Sequence, residues 1–343
     1  MPLWWVRLTR FEFWNQWVFY TPILIYFAWF VVRARRLMWF TAANPGIDGG
    51  GFIGESKWET YENMPKDRIP KTQVFRHPLE PNEVVREVAA AGFKYPIVAK
   101  PDVGERGRGV ERLDTPEALA KYAALWQEDF LIQEFLDWPF EAGVFYYRLP
   151  TESVGRVSSI VVKEFLSVTG DGKRTLAELV AGNERALFQL ERLRTRFADR
   201  WEDVIARDEV VLLEQIGNHS RGTKFVNGNA LISPELTQHF DTLAKQVPGF
   251  WYGRFDLRAP SAEAMQRGEF TVVELNGVIS EPGHVYDPST SIGEAYRSCF
   301  EHWGVAFKIA QHNRRQGASL LTIRDGVRRI RRFNRAPRYG RLS

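Results

Sequence analysis

Two short apolar stretches carry the side chains with the most chemistry to offer. YGRFDLR sets Arg254 two residues before Asp256, and VVELNG sets Glu274 two residues before Asn276. In an extended strand alternate side chains share a face, so each pair projects the same way. Solvated charges do not usually sit between residues such as Val272, Val273 and Leu275. Asp256, Glu274 and Asn276 together form a hard-oxygen set of the kind Mg²⁺ prefers and shares with nucleotide phosphates. Arg254, on the same face as Asp256, suits charge on a phosphoryl group in transfer.

A second group involves phosphates. PIVAKPDVGERGRGV ends a strand at Lys100 and follows it with Gly104, Gly107 and Gly109. Such glycines let backbone N–H groups close on phosphate oxygens that a lysine neutralises, although a structural hairpin has the same composition. No GK[ST] follows, so this is not a Walker A loop, and the spacing does not open a helix as a dinucleotide fingerprint does. In LIQEFLDWPFE, Gln133 and Glu134 end a strand and Glu141 stands seven residues beyond Glu134. A strand edge there can present backbone groups to a purine, and Glu141 can accept from both ribose hydroxyls; a surface acid is the plainer alternative.

The elements that must hold these groups follow from periodicity. Strands are expected at residues 71–75, 95–100, 130–135, 210–216 and 272–276, with an alternating antiparallel pair at 141–148 and 158–168. Helices are expected at 81–92, 116–126, 175–180, 183–198 and 234–246, and a short one near 56–63. Runs of strands with helices on one side indicate an α+β architecture. Residues 41–70, rich in Gly and Pro, read as a wrapping loop.

Taken in order, Lys100 with its glycine loop, QEFL with Glu141, Lys163 leading into GDGKRTLAEL, then GRFD and ELN resemble the ATP-grasp superfamily over about residues 55–315. The GDG-x-x-TL-x-EL stretch is most similar to cyanophycin synthetases and related amide ligases, and GRFD with ELN to D-alanine–D-alanine ligases. The resemblance implies two α+β subdomains clasping ATP, a small one at about 93–140 and a large one at about 141–315, within an ATP-grasp domain at 76–315. It further implies that Lys57 and Lys100 contact ATP and that Gly104, Gly107 and Gly109 fold over the β- and γ-phosphates. Gln133, Glu134, Phe135 and Leu136 would hold adenine, Glu141 the ribose, and Lys163 the γ-phosphate. Asp256, Glu274 and Asn276 would hold two Mg²⁺ (or Mn²⁺), with Arg254 facing an acyl phosphate.

The sequence also departs from that pattern. Only residues 41–75 stand where such ligases carry an N-terminal substrate domain. D-alanine ligases have a serine in the glycine loop and a tyrosine after the γ-phosphate lysine; here Arg106 and Arg108 occupy the loop and Glu164 follows Lys163. GNHSRGTKF lies where relatives bind the acceptor or acyl phosphate, which makes Asn218, His219, Arg221 and Lys224 candidates for holding an anionic substrate, with a loop-closing role as the alternative. His284 and Tyr286 are similar candidates.

Composition sets the remaining expectations. The 343 residues are 44% apolar and 26% charged, enough for a packed core, and the single cysteine, Cys299, excludes a disulfide framework or a Cys-rich zinc site. The net charge of +4 belongs to the ends: residues 1–40 carry +4 and 324–343 carry +7. Basic ends, one fused to an aromatic-rich apolar run, suit an anionic membrane surface better than a nucleic acid. Residues 18–32 are fifteen without a charge, about 22 Å as a helix against a ~30 Å hydrocarbon core. The helix is expected to lie in or dip into one leaflet on the cytoplasmic face, with a spanning helix and a buried core or dimer helix as alternatives; if it spans, Arg33, Arg35 and Arg36 place the C-terminal bulk in the cytoplasm. Val327, Ile330 and Phe333 make an apolar stripe on the basic tail at 316–343, which reads as a solvated tail or a second membrane contact. The expected activity joins a carboxylate, small or lipid-linked, to an amine. A phosphotransferase or a non-catalytic ATP-binding adaptor are the other readings.

Overall fold

The computed structural model describes residue 5 and residues 10–104, 107–214, 217 and 221–335. Helix α1 (Gln16–Ala34) comes first, capped by the Asn15 side chain on the Trp17 N–H; it runs on through Pro22 and ends at a left-handed Arg35, φ 52°. Phe19, Ile23, Phe30 and Ala34 on one face are at most 6% exposed, while Trp17, Ile25 and Val32 elsewhere are 74%, 69% and 75% exposed. Its stretch Trp17–Ala34 is long and apolar enough to cross a membrane, with a mean hydropathy of 1.5, and 22% of it is buried.

A buried turn at Trp39–Ala43 and a glycine-rich stretch lead to α2 (Lys57–Glu62), whose N-terminus is capped by Ser56. The small lobe is then built from β1 (Thr72–Phe75), α3 (Pro81–Ala90), β2 (Ile97–Pro101), β3 (Glu111–Leu113), α4 (Pro116–Leu125) and β4 (Phe130–Glu134). Pro81 and Pro116 sit in the first turns of their helices, where the missing N–H costs nothing. The sheet is antiparallel in the order β1-β4-β2-β3, and Val84, Val88, Leu119 and Tyr122 from the helices close its core with Phe75, Ile97 and Phe130. Because β1 pairs along β4, from Thr72↔Gln133 to Phe75↔Phe130, this lobe begins at Thr72 and not near residue 93.

The large lobe comprises β5 (Phe140–Tyr147), β6 (Arg156–Glu164), β7 (Ser167–Thr169), α5 (Leu176–Ala181), α6 (Glu184–Leu187), α7 (Leu190–Arg196), β8 (Val210–Leu212), β9 (Lys224–Asn227), α8 (Pro234–Gln246), β10 (Tyr252–Ala259), α9 (Ala262–Gln266) and β11 (Thr271–Asn276). Its main sheet runs β11-β10-β5-β6-β9, and β7 and β8 pair separately beneath α5 to α7. The helix expected at 183–198 comes as two, because the Gln189 backbone (φ −116°, ψ 10°) leaves the helical region between them. The chain closes with α10 (Ile292–Arg315), opened by a Ser291–Glu294 capping box, and α11 (Ile323–Arg335). The buried face of α1 packs on Ala295, Cys299 and Trp303 of α10. The basic end is thus helical as far as Arg335, and Arg329 donates to both Asp48 oxygens at 2.6 Å.

The fold is the expected α+β class, with two lobes clasping one cleft, as the ATP-grasp resemblance implies.

Candidate active site

A cavity of about 780 Å³ lies between the lobes. From the small lobe it is lined by Lys100, Gly104, Gly107, Gln133 to Leu136 and Arg108; from the large lobe by Glu141, Lys163, Arg254, Asp256, Glu274 and Asn276; and from the wrapping segment by Lys57. The period-2 argument holds on both strands: Arg254, Asp256 and Arg258 share a face of β10, and Glu274 and Asn276 share one of β11. The strands pair Arg254 with Asn276 and Asp256 with Glu274.

The charges are tightly knit. Arg254 donates to Asp256 through Nε at 2.7 Å and Nη2 at 3.1 Å, and its Nη1 donates to the Glu281 carbonyl at 3.2 Å. Lys163 Nζ lies 3.0 Å from Glu141 and 3.6 Å from Asp256. Burial alone would raise the pKa of Asp256, but Arg254 and Lys163 outweigh it and hold the carboxyl below its ordinary range. Burial opposes the charge of Lys163 as well, and Asp256 and Glu141 more than offset it, raising its pKa. Lys100 is compensated less: burial brings its ammonium down to about 8, and the pull of Glu274 offsets only part of that.

Lys100 is held by three acceptors: the Tyr61 hydroxyl at 2.6 Å, Gln133 Oε1 at 2.8 Å and the Val273 carbonyl at 3.2 Å. The last exists because β11 carries a bulge. Leu257 pairs with Val272 and Asp256 with Glu274, so Val273 faces no partner and its carbonyl is left for Lys100 and for the Tyr61 hydroxyl, which also donates to it. Lys57 is placed by Asp102, whose carboxylate accepts from Ser56 Oγ at 2.9 Å and the Trp58 N–H at 2.8 Å. Lys57 Nζ then donates to the Gly104 carbonyl and lies 3.8 Å from Glu274.

Asp256, Glu274 and Asn276 fit Mg²⁺ by donor chemistry. All three offer hard oxygens on paired strands; Asp256 Oδ1 accepts from Arg254 Nε, while Oδ2 accepts from Arg254 Nη2 and, at 3.4 Å, from the Asn276 amide, a contact that an ion would replace. Among the described residues no group of three or more His, Cys, Asp or Glu comes together, so an ion held here would need the Asn276 amide oxygen and oxygens from a bound ligand beside the two carboxylates.

Several expected residues are placed otherwise. Gly109 does not line the cavity: at φ +66° a Cβ on it would come within 2.5 Å of Trp126, and its carbonyl accepts from Tyr122 at 2.8 Å, so it shapes the small lobe. Arg221 also lies off the lining and donates to the Gly107 carbonyl, tying the glycine loop to the large lobe. Lys224 pairs at 2.9 Å with Glu164 on the surface, and His284 Nδ1 bonds Ser159 Oγ at 2.6 Å. Tyr286 does reach the cavity. Arg106, Asn218 and His219 lie outside the described residues. Glu141, expected at ribose, is clamped by Lys163 and by Arg258, whose Nε lies 3.1 Å away.

Tyr61, Asp102, Arg258 and the Val273 carbonyl were not anticipated. The alternation in YGRFDLR does place Arg258 on the face of Arg254 and Asp256, and so could have flagged it; nothing in the sequence announces the bulge.

No family model matches the sequence, and no curated protein matches it significantly. Among solved structures the chain is similar to a bifunctional glutathione synthetase from Pasteurella multocida, at 17% identity and a TM-score of 0.39 over 71% of this chain and 36% of that one. It is also similar to a D-alanine–D-alanine ligase from Bacillus anthracis, at 12% identity and 0.41 over 76% and 69%. The chain thus spans about a third of the length of the first.

Proposed function

We propose that this chain is a membrane-associated ATP-grasp ligase that activates a carboxylate as an acyl phosphate and joins it to an amine. The observation that carries the reading is the convergence on one cleft of Lys57, Lys100 and Lys163, from the wrapping segment and both lobes, against Asp256, Glu274 and Asn276. With Arg254 and Arg258, these lysines supply cationic groups from several sides of the cleft for a bound polyphosphate.

In this reading a carboxylate oxygen attacks the γ-phosphorus of ATP, the bond to the β-phosphate oxygen breaks, and ADP leaves with the electron pair. The amine nitrogen then attacks the acyl carbon, the bond to the phosphate oxygen breaks, and the nitrogen gives up its proton. Lys100 and Lys163 hold phosphate oxygens, Arg254 stabilises charge on the transferring group, and the Gly104 to Gly107 loop covers the phosphates against water. Mg²⁺, when bound by Asp256, Glu274 and Asn276, supplies divalent charge that neutralises the β- and γ-phosphates. Membrane association is supported by the exposed apolar face of α1, and the cytoplasmic side by Arg33, Arg35 and Arg36 at its end.

Hydroxylamine trapping tests the reaction class. Incubation with ATP, Mg²⁺ and a carboxylate pool should yield an acyl hydroxamate together with ADP. ADP release with a phosphorylated hydroxyl product and no hydroxamate would reassign the chain to the phosphotransferases.

A further inference from the structure

The cavity does not end at the phosphate groups. It continues into an apolar chamber walled by Phe11, Phe19, Ile23, Leu24, Phe27 and Trp303, most of them from the N-terminal segment. A nucleotide has no use for such walls. Leu24 lines this chamber and is 47% exposed, and it neighbours the open apolar face of α1 at Ile25. At the junction between chamber and phosphate region stands Glu281. Its side chain accepts from Tyr20 at 2.6 Å and from Tyr286, and its backbone carbonyl accepts from Arg254 at 3.2 Å.

Resting on the ligase reading, we infer that the acceptor is an amine carrying a long apolar chain, its tail in the α1 chamber and its ammonium at Glu281, beside the Arg254 end of the phosphate site. The charge decides between head groups: a carboxylate head would meet the Glu281 carboxylate, whereas an ammonium is attracted to it and can also donate to the tyrosine oxygens. The walls decide the tail. Each methylene moved from water into such a chamber tightens binding by roughly fourfold, so a long chain gains what a short amine cannot. The N-terminal segment then forms the wall that holds the acceptor, and an acceptor of this kind is drawn from a lipid surface.

Titration calorimetry on the full-length protein with butylamine, octylamine, dodecylamine and dodecanoate, each below its micelle concentration, tests this. Affinity should climb with chain length, and dodecylamine should bind at least about tenfold tighter than dodecanoate. Glu281→Gln should erase the preference for amine over acid while keeping chain-length dependence. Leu24→Glu should weaken dodecylamine at least about tenfold and Leu24→Met should restore it, with thermal unfolding confirming that each variant is folded. Affinity independent of chain length would overturn the chamber assignment, and equal binding of dodecanoate and dodecylamine would overturn the amine. Magnesium-dependent ATP binding measured on the same preparations tests the ligase reading separately: its failure alongside normal dodecylamine binding would sink that reading and, with it, the acceptor role.

Discussion

Tyr20 and Glu281 lie 261 residues apart, yet the tyrosine hydroxyl donates to the carboxylate at 2.6 Å. Tyr20 belongs to α1, and the Glu281 carbonyl accepts from Arg254, so the N-terminal helix is two hydrogen bonds from the centre of the cleft. Tyr286 bonds the same carboxylate and lies 2.8 Å from the Tyr20 hydroxyl, which closes a partly buried triangle. An apolar helix that served only as an anchor would need no such polar connection. The helix is a wall of the site as well as an exposed apolar surface.

The oxygen set leads to the first expected outcome. Glu274→Ala and Asn276→Ala should each lower ADP formation by at least ~100-fold, because losing one donor leaves divalent charge poorly compensated beside phosphates. The fold should survive, since Glu274 is partly exposed. Steady-state ADP release at saturating Mg²⁺ checks this, and full turnover by Glu274→Ala would remove the metal assignment.

What was legible in the sequence was local. The spacing of Arg254, Asp256, Glu274 and Asn276 needs only the strand period, and it gave the correct face of two strands. Lys57 was placed by a resemblance in motif order, and Gly104, Gly107 and the Gln133 edge by residue chemistry as well; these line the cleft. What escaped depends on register and distant pairing. The bulge at Val273 follows from how β11 sits on β10, and the role of Asp102 from a chain reversal that brings Ser56 and Trp58 to it across 46 and 44 residues. Gly109 was misplaced because sequence does not distinguish a glycine that admits a phosphate from one that admits Trp126.

The glycine loop separates binding from chemistry. Gly107 has φ +70°, a conformation a β-branched residue resists, and its carbonyl is tied to Arg221. Gly107→Val should lower kcat by roughly 10-fold or more, since the loop no longer closes over the phosphates, with AMP affinity changed much less. Arg221→Ala should share the kcat defect. Parallel kinetics and AMP titration test both, and an equal loss of AMP affinity would make the loop a purely structural element.

Lys100 gives a pH dependence with a definite sign. Its ammonium is down at about 8 in the folded protein, through burial, against an ordinary lysine value of 10.5. Between those values the unfolded chain binds the extra proton, so this residue makes the nucleotide-free protein more stable as pH rises from about 8 to about 10.5. Nucleotide affinity should move the other way and fall above about pH 8, as the charge that faces phosphate is lost. Lys100→Met should flatten both trends. Denaturant midpoints and ATP titrations across that window measure them, and an affinity that climbs with pH would contradict the placement of Lys100 at a phosphate.

The exposed face of α1 can be tested without disturbing its buried one. Removing residues 1–40 outright would take away Trp39, which is fully buried, and Phe19, Ile23 and Phe30 with it, so truncation confounds attachment with folding. Ile25→Asp and Val32→Asp change side chains that are 69% and 75% exposed and leave the α10 contacts in place. If that face enters a bilayer, each loses roughly 1.5 to 3 kcal/mol of apolar burial, and the double variant should be released from neutral and anionic vesicles alike. Replacing Arg324, Arg328, Arg331 and Arg332 with glutamine should weaken binding to anionic vesicles alone, more so at low salt, because surface charge acts over a Debye length. Sedimentation with the two vesicle types separates the contributions. Wild-type protein that stays in the supernatant with both, while running as a dimer that Val32→Asp dissociates, would assign the face to a second copy of the chain in place of a lipid surface.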